Sequence, residues 1–171
     1  PTLLVDVAPL TENSVILNWL NDAYPDAKLL PMAETQLSRA HQMSDLVFVG
    51  STLHPAVAHY AMPSRYVTEN ADPISVVRPA AGLALHHLLA KVEDRLETGP
   101  WWYGQTWSVV DAYLYWVWTR LTLIGFDAGP FPRLIAHAQL SEGRAAVQRA
   151  RNAERDSIAR LTHEGLYIRP G

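Results

Sequence analysis

A strong helix signal that begins at Ser108 constrains the fold more than any other feature of the sequence. Ser108 and Asp111 have the spacing of a capping box, in which the serine hydroxyl accepts from the Asp111 amide and the aspartate accepts from the Ser108 amide. The residues that follow, as far as Ile124, are apolar on all sides of a helix. A helix of that kind is buried in a core. We therefore predict that 108–124 is the central helix of a bundle, ending at a left-handed turn at Gly125.

The rest of the chain has one strand signal and several helix signals. Residues 1–7 are short, apolar and β-branched, which favours a strand that Ala8-Pro9 interrupts. Thr11 is a candidate N-cap for a short helix, and the prolines within 21–31 end that helix. Later helices are predicted over 34–60 with a bend at Pro55, and over 74–96, 132–140 and 144–161. The predicted fold class is mostly α. A lone strand leaves its ladder groups unpaired, so we expect that a segment preceding Pro1 is absent.

Composition excludes several classes of function. The chain is 49% hydrophobic and 18% charged, which supports a packed core and argues against disorder. A net charge of −3 provides no basic excess for phosphates, so we expect no nucleic acid partner. The absence of cysteine removes disulfides, thiolate metal sites and a cysteine nucleophile, and we expect no metal. No apolar run reaches the ~20 residues of a membrane span and no signal peptide is visible, so we expect a cytoplasmic protein without a membrane partner.

Five short motifs resemble one family. The run WYGQTWSVVDAYL at 102–114 is similar to the "aGxxfSxADayl" signature of the glutathione transferase C-terminal domain. The segments 125–127, 131–134 and 144–150 are similar to that family's "Gldl", "yPnL" and "rPavqra", and 53–55 resembles the "lHp" of bacterial members. Their order and spacing agree over nearly the whole chain. The resemblance implies an all-α C-terminal domain at residues 32–171, preceded at 1–31 by part of a thioredoxin-like domain that binds glutathione.

The first residues match the same family. Residues 1–3 look like its "vPxL", in which a cis-proline begins the third strand, and 10–17 (LTENSVIL) resemble "lTESxaIl", which holds the γ-glutamyl end of glutathione. The resemblance therefore implies that Pro1, Glu12 and Asn13 contact glutathione. Amides at a helix N-terminus suit a carboxylate, and an acidic side chain beside them suits the ammonium. Asn13 replaces the usual serine. The alternative is that Glu12 and Asn13 only cap the helix.

Two further residues carry the remaining chemistry. The resemblance places His54 at the cleft between the domains and Arg120 near the hydrophobic substrate pocket. Bacterial members often follow the histidine with lysine, whereas this chain has Pro55. The alternative for His54 is a partly buried histidine that bonds to a backbone carbonyl or water, and the alternative for Arg120 is a surface ion pair.

The resemblance also implies an activity. Its members conjugate the thiol of glutathione to a small hydrophobic electrophile, usually as homodimers, although relatives dehalogenate, isomerise or reduce disulfides. The Tyr, Ser or Cys that activates the thiol follows the first strand of the family's thioredoxin-like domain, ahead of the position of Pro1. We therefore expect that this chain lacks its thiol-activating residue, and no catalytic residue is assigned. The alternative function is a non-catalytic glutathione-transferase-like module for binding or assembly.

Overall fold

The computed structural model describes residues 1–68 and 72–167. The chain begins with two antiparallel strands, β1 (Thr2–Val5) and β2 (Ala8–Thr11). Together they form a two-stranded sheet. Asp6, with φ 54°, turns the chain between them. The prediction that Ala8-Pro9 interrupts the only strand is therefore wrong. Each strand of a two-stranded sheet is an edge strand, and an edge strand tolerates a proline such as Pro9.

The helices of the described residues follow the strands in sequence order. They are α1 (Asn13–Ala23), α2 (Gln36–Val47), α3 (His54–Ala61), α4 (Pro73–Val76), α5 (Arg78–Arg95), α6 (Val109–Leu123), α7 (Pro132–Glu142) and α8 (Ala145–His163). The predicted fold class, a mostly α chain with a short α/β beginning, is confirmed. No helix among the described residues is both long enough and apolar enough to cross a membrane.

Several predicted helix boundaries are corrected. Thr11 belongs to β2, and Glu12 occupies the N-cap position of α1. The helix expected from 34 begins instead at Gln36, because Thr35 forms its own capping box with Ser38. The helix expected over 74–96 is divided into α4 and α5, and Pro79 lies in the first turn of α5, where its missing N–H costs little.

The helix predicted over 34–60 is interrupted by a π-helical turn, Phe48–Leu53, between α2 and α3. Within that turn Gly50 allows α1 to come close. A β-carbon added to Gly50 would lie 2.6 Å from the Ser14 hydroxyl oxygen. That hydroxyl donates to the Leu46 carbonyl at 2.9 Å, which ties α1 to the end of α2.

Helix α6 forms the centre of the core, as the sequence predicts. Val110, Leu114, Val117 and Leu121 are completely buried. Gly125 follows the helix with φ 66°, so the predicted left-handed turn is confirmed. Helix α8, by contrast, has no buried residue among those described.

The capping box of α6 is part of a larger buried network centred on Asp111. Its Oδ2 accepts from the Ser108 amide at 2.8 Å and from the Ser108 hydroxyl at 2.9 Å. Its Oδ1 accepts from the Trp102 amide at 2.7 Å and from His137 Nε2 at 3.1 Å. The Ser108 hydroxyl oxygen accepts in turn from the Val110 amide at 3.2 Å. One carboxylate thus joins the start of α6 to α7 and to the loop before α6.

Candidate functional site

A cleft lies between the start of α1 and the chain from the π-helical turn into α3, and we call it the α1 cleft. Its volume is about 520 Å³, and its walls include Pro1, Glu12, Asn13, His54 and Tyr113. The structure therefore brings together four residues that the sequence singled out, although they come from two distant segments. The cleft is open to solvent and large enough to admit part of a peptide-sized ligand.

The start of α1 has the features of a site for a charged ligand end group. Glu12 has φ 66° and ψ 116°, which is a strained conformation for a residue with a side chain. Its side chain makes no capping hydrogen bond, so the capping alternative is not what the structure shows for Glu12. The first amides of a helix have no intrahelical acceptor and carry the positive end of the helix dipole. A carboxylate can therefore bind at these amides, and an ammonium can bind beside Glu12.

His54 is held by a tyrosine from the central helix. Its Nδ1 lies 2.8 Å from the hydroxyl of Tyr113. The alternative partner considered for His54, a backbone carbonyl or water, is thus replaced by a side chain. Burial raises the pKa of Tyr113, so its hydroxyl keeps its proton near pH 7 and can either donate to His54 Nδ1 or accept from it.

The surroundings of His54 favour its neutral form. Burial lowers the pKa of His54, and the positive charge of Arg120 lowers it further, so the neutral imidazole is favoured near pH 7. A neutral imidazole carries one proton. When Tyr113 donates to Nδ1, that proton lies on Nε2, and when Nδ1 donates to Tyr113, Nε2 is a hydrogen-bond acceptor.

A second cavity, the α3–α6 pocket, adjoins the first. Its volume is about 180 Å³, and its walls are His54, Val57, Ala58, Ala61, Met62, Trp116, Arg120, Leu123 and Ile124. The His54 ring lies 4.2 Å from the Trp116 ring, centre to centre. The guanidinium carbon of Arg120 lies 5.3 Å from the centre of that indole. His54 and Ala58 line both cavities, so the two cavities are neighbours on either side of α3 residues.

Arg120 combines the two interpretations that the sequence left open. It lines the α3–α6 pocket, and its Nη2 also lies 3.8 Å from a carboxylate oxygen of Glu154 in α8. Both side chains of this pair are solvent-accessible, at 31% and 61%. An exposed pair of this kind contributes little to stability.

Sequence reasoning did not assign a site role to Tyr113 or Trp116. A signal was present, however, because Tyr113, Trp116 and Arg120 are three and four residues apart and therefore share one face of a helix. The described ranges contain no group of three or more His, Cys, Asp or Glu residues placed to hold a metal ion.

Comparison with known proteins identifies the class to which this fold and site belong. The family model "Glutathione S-transferase, C-terminal domain" matches residues 76–140. The glutathione S-transferase GST-4.5 of Xanthomonas campestris is 32% identical over 154 residues, which cover 90% of this chain and 74% of that protein.

Solved structures agree with that relationship. A glutathione transferase from Methylococcus capsulatus is 34% identical, with a TM-score of 0.76 over 90% of this chain and 72% of its own. A sphingomonad glutathione S-transferase complexed with glutathione is 32% identical, with a TM-score of 0.74 over 90% of this chain and 73% of its own. The chain belongs to the glutathione transferase family.

Proposed function

We propose that this chain binds glutathione in the α1 cleft, and that the protein conjugates its thiol to a small hydrophobic electrophile held in the α3–α6 pocket. The observation that carries the proposal is that the two cavities share His54 and Ala58 in their walls. A thiol and an electrophile bound in such neighbouring cavities are held close together, and holding two reactants in place is a large part of the catalysis of a two-substrate reaction. The related sphingomonad structure has glutathione bound, which supports the choice of ligand.

Both charged groups at the γ-glutamyl end of glutathione have a suitable partner in this proposal. The γ-glutamyl carboxylate binds the first amides of α1, and its ammonium binds Glu12. Asn13 lines the same cleft and contributes a further donor to that end. Pro1 lines the same cleft. The division into a glutathione-binding part at 1–31 and a helical part at 32–171 belongs to this proposal, as do the homodimer and the cytoplasmic location.

Activation of the glutathione thiol is the step for which these 171 residues provide the fewest suitable side chains. The thiolate is the reactive form, and its formation requires a donor that stabilises it. We propose that the family's thiol-activating Tyr, Ser or Cys has no counterpart among these residues, as the sequence resemblance implies. We also propose that Tyr113 donates to His54 Nδ1, so that the proton on Nε2 assists the sulfur without replacing that residue. No metal takes part in this proposal.

The proposed lack of a thiol-activating residue favours a second candidate, a non-catalytic module that binds glutathione or assembles with other chains. The two candidates agree on ligand binding and differ in turnover. A spectrophotometric assay of glutathione with a chlorinated nitrobenzene separates them. The 171-residue chain should show little conjugation, and robust turnover would contradict a missing activating residue and make His54→Ala the first variant to test.

Calorimetric titration with glutathione tests the binding claim itself. The wild-type chain should bind glutathione weakly, and Glu12→Gln should weaken that binding by about tenfold, because a charge-assisted hydrogen bond to the ammonium is lost. The matched control is Glu34→Gln, which removes the same charge from an exposed residue outside the cleft. Equal affinities for wild type and Glu12→Gln would contradict the assignment.

A further inference from the structure

We infer that the α3–α6 pocket selects electrophiles that carry an anionic group, with Arg120 as the residue that selects them. The inference rests on the proposed function and names the substrate class of the same site. It is drawn from the size of the pocket, from the one permanent charge in its wall, and from the unsatisfied donors of that charged side chain.

The size of the pocket limits the ligand to about one ring. A volume of about 180 Å³ is only slightly larger than the roughly 150 Å³ cavity that accommodates a benzene molecule. Apart from His54 and Arg120, the seven other wall residues are Trp116 and six apolar side chains. A substituted benzene or a short unsaturated chain fits this space, whereas a polycyclic ligand would extend beyond it.

The electrostatics of the pocket are dominated by Arg120. Burial and the nearby guanidinium lower the pKa of His54, so the histidine adds no charge near pH 7. Arginine is always charged. Arg120 is 31% exposed and therefore partly screened by water, but the apolar walls on its pocket side strengthen its attraction for an anion relative to bulk water. Neutral ligands gain nothing from this charge.

Arg120 has donors to spare. Its Nε is buried and has no hydrogen-bond partner among the described residues. Its Nη2 lies 3.8 Å from Glu154, which is beyond hydrogen-bond distance. An arginine has five N–H donors in a planar fork that matches a carboxylate. A ligand carboxylate can therefore bind the Nη donors, which Glu154 does not hydrogen-bond, whereas the covered Nε becomes available only if the side chain moves.

Glu154 is the competitor for the same charge. It projects from α8, is 61% exposed, and attracts the guanidinium without bonding to it. A ligand carboxylate has to compete with this attraction. Removal of the Glu154 charge should therefore strengthen anion binding, and this gain cannot be imitated by a variant that has merely lost its fold.

Calorimetric titration with benzoate and with its neutral isostere benzamide, in the absence of glutathione, tests the inference. Wild type should bind benzoate about tenfold more tightly than benzamide, as expected for a hydrogen bond to a charged group. Arg120→Met should abolish this preference with little change in benzamide affinity, and Arg120→Lys should retain part of it. Glu154→Gln should raise benzoate affinity several-fold. The matched control is Asp156→Asn, an exposed residue of the same helix, which should leave both affinities unchanged.

Three results would overturn the inference: equal binding of the two probes, a benzoate preference that survives in Arg120→Met, or no binding of either probe. A parallel titration with glutathione distinguishes failure of this inference from failure of the proposed function. Benzoate selection by Arg120 without glutathione binding would uphold the anion site and refute the glutathione site. The reverse combination would uphold glutathione binding and refute the anion site.

Discussion

Replacement of Asp111 by alanine should destabilise this fold far more than the loss of an ordinary helix cap. A cap contributes about 1 kcal/mol when it is exposed. The Asp111 carboxylate is completely buried and accepts four hydrogen bonds, from the Trp102 amide, the Ser108 amide and hydroxyl, and His137. Alanine removes the acceptor and leaves these donors in a dry environment.

The expected loss can be estimated from the same contacts. A buried donor left without an acceptor costs about 1–3 kcal/mol. Four donors lose the same acceptor, and because their losses are not additive we expect Asp111→Ala to lower the free energy of unfolding by about 4 kcal/mol. Asp111→Asn keeps one acceptor oxygen and should cost about half of that. Ser108→Ala loses one hydroxyl and should cost about 1 kcal/mol.

Urea denaturation followed by circular dichroism measures all three variants. The order of loss should be Asp111→Ala, then Asp111→Asn, then Ser108→Ala, with equal denaturant slopes. Domains of this size are stabilised by only about 5–15 kcal/mol, so Asp111→Ala can be extensively unfolded in water, and Asp111→Asn then provides the measurement. A loss for Asp111→Asn no larger than that for Ser108→Ala would refute the argument that the network, and not the cap alone, stabilises the start of α6.

Three other predictions follow from particular contacts. Glu93→Ala should cost about 2 kcal/mol in urea melts, because the buried carboxylate caps the first amides of α7 at 2.7 and 3.0 Å. Gly50→Ala should cost about 1–3 kcal/mol through its clash with Ser14, and in the background of Ser14→Gly most of that loss should disappear. The depressed pKa of His54 makes the fold lose stability as pH falls below the ordinary histidine value of 6.5. Arg120→Met should raise that pKa in NMR titrations and reduce this loss of stability. An unchanged pKa would contradict the prediction.

The parts of the fold that are encoded locally could be predicted from the sequence. Helix α6 carries both its cap and its apolar periodicity within 108–124, and the structure places it at the centre of the core. The sequence does not predict the second strand, because Pro9 resembles a strand break, whereas an edge strand accepts proline. The capping box at Thr35 was missed because its third residue is serine, which is not the usual Glu or Gln.

The contacts that define the site could not be predicted in the same way. The bond between His54 and Tyr113 joins residues 59 positions apart, and Glu93 caps a helix 40 positions later. Such pairs arise from the packing of helices and leave no local pattern. The resemblance to a family indicates Glu12, Asn13, His54 and Arg120 as site residues, but it does not indicate that Tyr113 bonds to His54.

Amide chemical shifts recorded during a glutathione titration test the central claim most directly. The claim is that glutathione binds at the start of α1, with its γ-glutamyl end on Glu12 and Asn13. Millimolar glutathione should shift the amide signals of residues 12–15 progressively, and the dipeptide cysteinylglycine, which lacks the γ-glutamyl group, should leave them unchanged. Shifts confined to other parts of the chain, or equal shifts with both ligands, would contradict the claim.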